Sequence, residues 1–171
     1  MSRILSVIAE KGFRDEEFAV PYGILKDAGH RVDVASTSPG DAVGKLGMRV
    51  KPDLTVDRAE PDHYSAVLVS GGPTTPVYIW PNEHLHRILL KVYEKGGAVA
   101  AICLAPAVLA RVGLLKGRKA TIFRTPDSIK EMSAGGCTLL SDHVVVEGRI
   151  VTADGPDAAR QFGEAVLKLI S

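Results

Sequence analysis

Cys103 stands between a run of small apolar residues, Ala98-Val99-Ala100-Ala101-Ile102, and a helix-like apolar segment from Ala107 to Leu115. A thiol at such a junction is placed as a nucleophile would be. A strand that turns sharply into a helix strains the residue at the bend, and its neighbours must be small for the backbone to pass. Ala101 and Ala105, two positions either side, meet that requirement. Pro106 has no N–H to lose in the first helical turn. The positive end of that helix would favour thiolate and hence reactivity. The competing reading is a buried structural thiol.

Two further groups could work with it. Gly71-Gly72 closes an apolar run, and glycines there let backbone N–H groups approach a ligand, as an oxyanion hole requires. A simple strand-ending turn is the plainer alternative. The amide of Leu104, directly after the cysteine, would be a further donor. Asp15, Glu16 and Glu17 form an acidic cluster that could merely complement a helix dipole. Glu17 differs from the other two because Pro21 lies four residues on. Pro21 cannot donate to the Glu17 carbonyl and its ring crowds it, so local distortion is expected there.

The remaining chemistry-bearing residues offer less. His84 and His86 sit two apart on an expected helix, roughly 200° around its axis, and cannot share a metal. His30 and His63 read as surface residues. His143 precedes a late hairpin and is expected to reach the cysteine only through a partner subunit or an unusual fold. No metal site and no cofactor-binding pattern is read. Cys137 opens a short apolar run and reads as a structural thiol. Tyr78-Ile79-Trp80 could form an aromatic lip over a pocket, with Trp80 touching substrate, or pack into a dimer contact.

The elements that must position these residues follow from apolar periodicity. Strands are expected at Arg3–Ala9, Arg31–Ser36, Ala66–Ser70, Ala98–Ile102 and Lys119–Phe123, with short extended pieces around Met48–Val50 and Asp53–Val56. Helices are expected within Glu16–Ala28, over Pro81–Glu94 with Pro81 in its first turn, at Asp127–Ser133 and after Pro156. Val144–Val151 reads as a hairpin through Glu147-Gly148. Alternating strands and helices, the strands almost continuously apolar, imply a doubly wound, mostly parallel sheet covered on both faces, a three-layer α/β/α sandwich. The 171 residues fit one domain. A net charge of +1 gives no electrostatic case for nucleic acid or an anionic membrane. No apolar run approaches a bilayer span, and the first residues do not read as a signal peptide. Two distant cysteines are no disulfide framework, so a cytoplasmic, reducing setting is expected.

Glu17 with Pro21, the strand-ending Gly71-Gly72, and Ala100-Ala101-Ile102-Cys103-Leu104-Ala105-Pro106 together resemble the ThiJ/PfpI superfamily. That superfamily includes the parkinsonism-associated deglycase, PfpI-type intracellular proteases and class I glutamine-amidotransferase-like domains. The resemblance runs over essentially the whole chain. It implies a flavodoxin-like fold, Cys103 as the reactive cysteine, Glu17 as the carboxyl touching its sulfur, and a homo-oligomer, most often a dimer. PfpI-like proteases carry histidine directly after the cysteine, where this chain has Leu104, which cannot serve as a base. The histidine that the parkinsonism-associated branch carries at a later strand end is also missing, since that region reads Phe123-Arg124-Thr125-Pro126. Arg124 could instead hold an anionic substrate group or an oxidised sulfur, or be a solvated arginine. The resemblance thus implies glyoxalase- or deglycase-like chemistry on a small carbonyl substrate. A redox-sensing, stress-protective or chaperone role for Cys103 is the alternative, and a peptidase is the weakest reading.

Overall fold

A computed structural model describes all 171 residues, Met1–Ser171. In chain order the elements are β1 (Arg3–Ile8), α1 (Asp15–Asp27), β2 (Arg31–Ser36), β3 (Ala42–Val43), β4 (Arg49–Val50) and β5 (Leu54–Thr55). They continue with β6 (Ala66–Val69), α2 (Thr75–Tyr78), α3 (Glu83–Glu94), β7 (Ala98–Ile102), α4 (Pro106–Arg111), β8 (Lys119–Ala120) and α5 (Pro126–Ala134). The chain closes with β9 (Thr138–Leu139), β10 (Val144–Glu147), β11 (Ile150–Ala153) and α6 (Ala159–Ile170).

Seven strands form the central sheet in the order β10-β11-β7-β6-β1-β2-β5. All neighbours are parallel except β10, which pairs antiparallel with β11. The strands are apolar because both faces are covered: α1 packs with α6 on one side, while α3, α4 and α5 lie on the other. This is the expected three-layer flavodoxin-like sandwich. No helix is long and apolar enough to cross a membrane.

Several boundaries differ from the sequence expectation, each for a local reason. Pro81 precedes α3 instead of entering it. Asn82 is the cap, its side-chain oxygen accepting from the Leu85 N–H at 3.0 Å. α4 stops at Arg111, well short of Leu115, because Gly113 turns left-handed (φ +83°) and the Leu114 N–H closes back on the Leu109 carbonyl. β8 ends at Ala120; beyond it the extended chain bonds to the Thr152 hydroxyl through Thr121 N–H and to the Cys103 carbonyl through Phe123 N–H. The hairpin turns through Gly148-Arg149, one residue later than expected, since Glu147 is still paired with Ile150. α1 runs through Pro21 without a break.

Candidate active site

The carboxyl ends of β6 and β7 place glycines and cysteine side by side. Cys103 follows β7 with φ +64°, the single non-glycine residue at positive φ. For an L-residue that conformation is strained and must be held by its surroundings. Here the Cys103 N–H donates to the Ala153 carbonyl at 2.9 Å, and its own carbonyl accepts from the Phe123 N–H at 2.8 Å. Ala101 and Ala105 are fully buried on either side. Gly71 completes the fit: a Cβ there would lie 2.6 Å from the Ile102 carbonyl oxygen and 2.7 Å from the Cys103 Cβ.

Glu17 enters from the first turn of α1 and is 1 % exposed. Its Oε1 accepts the Gly71 N–H at 3.0 Å and its Oε2 is buried without a hydrogen-bond partner, while the Cys103 thiol acts on the carboxyl as a whole. Desolvation pushes this carboxyl up to about 7, against the opposing pull of the Gly71 amide, the nearby Cys103 thiol and the Arg14 charge. The Glu17 carbonyl, deprived of a donor by Pro21, accepts instead from the Ser70 hydroxyl at 3.3 Å. The proline therefore ties the glutamate's backbone to the end of β6.

Two expectations change. Gly71 does not offer a free amide beside the sulfur, because that N–H is committed to Glu17. The amides acting on the sulfur are those of Gly72 and Leu104. Nor is the thiol simply thiolate-biased. Burial and the neighbouring Glu17 carboxylate push Cys103 up to about 12, while the Leu104 and Gly72 amides work the other way. Protonating Glu17 removes the repulsion and turns the carboxyl into a donor to sulfur. Glu17 and Cys103 thus share protons as a pair.

Trp80 is not a lip. It is buried, and its indole N–H donates to the Leu104 carbonyl at 2.7 Å, so it props the elbow from behind. The Trp80 carbonyl is in turn held by His86 Nε2 at 2.7 Å. Arg124 is exposed and donates to the Leu140 carbonyl at 3.2 Å. It lines a neighbouring cleft with Phe123, His143 and Asp154, a cleft that Cys103 does not line. His143 lies at this end of the sheet within the same chain, because β11 pairs directly with β7. No group of three or more potential metal ligands gathers anywhere. Cys137 is half-buried, which raises its thiol pKa.

Sequence reasoning missed two residues. Asp15 does not serve the helix dipole from solvent; it is buried and accepts the Leu46 and Met48 N–H groups, holding the loop over the start of α1. Arg14 grips Glu16 through Nε and Nη2 at 2.7 and 3.1 Å, and its charge reaches both Glu17 and Cys103. An arginine opening an acidic triplet was the available signal.

A model of the DJ-1/PfpI family matches residues 2–169. The chain belongs to the DJ-1/PfpI family. It is 43 % identical over 169 residues to an uncharacterized protein of Methanocaldococcus jannaschii, covering 99 % of this chain and 82 % of that one. It is 37 % identical over 158 residues to a protein of Pyrococcus horikoshii named deglycase, covering 92 % and 93 %. Among solved structures, a ThiJ/PfpI domain protein of Brachyspira murdochii superposes with a TM-score of 0.92 at 28 % identity, covering 98 % of this chain and 95 % of that one. A relative of Pyrococcus furiosus, also named deglycase, is 36 % identical over 159 residues, covering 92 % of this chain and 93 % of that one.

Proposed function

We propose that the protein is a cysteine-dependent enzyme acting on small reactive carbonyls, such as a 2-oxoaldehyde or its thiol or amine adduct. The observation that carries this reading is the buried, unpartnered Glu17 Oε2 set against Cys103, on a carboxyl raised to about 7. A carboxyl so poised can both take and return a proton near neutral pH. Sulfur attacks the aldehyde carbon while the thiol proton passes to Glu17. The new alkoxide is held by the Leu104 and Gly72 amides and takes the proton back, giving a hemithioacetal. Glu17 then moves a proton from the former aldehyde carbon to its neighbour, leaving a 2-hydroxy thioester on Cys103. Water cleaves the thioester to a 2-hydroxy acid and the free thiol. Leu104 suits this chemistry, which needs no histidine after the cysteine. Amide hydrolysis would need one to protonate the leaving amine.

The test is methylglyoxal consumption by the wild type, Cys103→Ser and Glu17→Gln. Losses of about 10²-fold or more are expected in both variants. If the wild type proves as inactive as Cys103→Ser while mild peroxide leaves a stable Cys103 sulfinate, the redox-sensing reading replaces this one. In that reading protonated Glu17 donates to the sulfinate.

A further inference from the structure

Ala153 stands opposite Ile102 in the last pair of the β11–β7 ladder, so Asp154 follows β11 where Cys103 follows β7. The Cys103 N–H bond to Ala153 confirms that the strands stay together to this point. Glu17 comes to the cysteine from the opposite flank, held by Gly71 at the end of β6, the other neighbour of β7. Asp154 holds a histidine. Its Oδ2 lies 2.9 Å from His143 Nδ1, and its N–H donates to the His143 carbonyl at 3.1 Å. A carboxylate only accepts, so in the neutral ring Nδ1 carries the hydrogen and Nε2 keeps its lone pair. His143 Nε2 has no protein partner. An ion pair this exposed adds little to the fold. Both residues line a cleft of about 510 Å³ together with Phe123, whose N–H is bonded to the Cys103 carbonyl.

We propose that His143, oriented by Asp154, is the general base that activates water against an acyl group on Cys103. This rests on the thioester step proposed above and supplies what that step lacks. Thioester hydrolysis moves protons at two places, off the attacking water and onto the departing sulfur. Glu17 lies beside the sulfur and serves the second; the first needs another base on the other flank. Water attacks the acyl carbon as His143 Nε2 takes its proton, and the oxyanion rests on the Leu104 and Gly72 amides. Glu17, reprotonated from solvent, gives its proton to the sulfur as the C–S bond breaks, and the imidazolium releases its proton to solvent. Asp154 is the positioning residue of this pair.

p-Nitrophenyl acetate offers a probe independent of the carbonyl substrate, because it leaves an acetyl thioester whose loss is followed by intact mass. His143→Ala should take up acetyl on Cys103 as the wild type does, yet shed it about 10²-fold more slowly. Added imidazole should restore the rate, and Asp154→Asn should give a smaller defect. Acetyl loss at the wild-type rate in His143→Ala, or a slow variant that imidazole does not rescue, would overturn the proposal. Failure of Cys103 to take the acetyl group would overturn both this and the carbonyl reading. If the wild type sheds acetyl in a His143-dependent way but leaves methylglyoxal untouched, the carbonyl reading alone falls.

Discussion

Glu17 keeps its proton to about pH 7 in the folded protein, whereas an unfolded glutamate releases it near 4.5. Between those values the native state binds more protons than the unfolded chain, so stability falls as pH rises through this window. The loss amounts to roughly 3 kcal/mol across it. Glu17→Gln should flatten this slope and leave the variant more stable than the wild type at pH 8, as denaturant titrations at several pH values would show. Carbonyl turnover should run the other way, rising as pH passes 7, because one proton must leave the Glu17–Cys103 pair before it can act. A pH–rate profile flat from 6 to 8 would contradict that. Trp80 makes the other residue-scale prediction. Trp80→Phe keeps the ring but leaves the buried Leu104 carbonyl unpaired. A loss of about 1–3 kcal/mol is expected, read by circular dichroism.

At the scale of elements, the site depends on two strand ends and one helix brought together. β7 delivers Cys103, β6 delivers Gly71, and α1 lays Glu17 against the end of β6. Gly71 is the tightest joint. A methyl group there meets the backbone of Ile102 and the side chain of Cys103, neither of which can yield without moving the elbow. Gly71→Ala should cost about 1–3 kcal/mol in chemical denaturation. It should also depress turnover through displaced reacting groups. The elbow was legible in the sequence because small residues, cysteine and proline follow one another there. The proline effect on Glu17 was legible too, but its consequence was not. Ser70, which takes up the freed carbonyl, is 53 positions away, and only the β1–β6 pairing brings it near. The place of Trp80, left open between a lip and a packing contact, was hidden for the same reason, since nothing local says that Leu104 is its partner.

At the scale of the molecule, one continuous core of 48 buried residues joins both helical layers to the sheet. Unfolding should therefore be a single cooperative transition, with Trp80 fluorescence and far-ultraviolet circular dichroism coincident. Separate midpoints for the two signals would argue against a single folding unit. The main alternation of strands and helices, the layered architecture and the strained bend at Cys103 could be read from the sequence. Periodicity and local sterics are properties of neighbours along the chain. Which amide serves which atom could not be read. Gly71 went to Glu17 instead of to the sulfur, burial set the proton balance of the pair, and strand order brought His143 and Asp154 to the carboxyl end of the sheet that also carries Cys103. Those outcomes depend on distances between segments far apart in sequence, and such distances exist only once the sheet has closed.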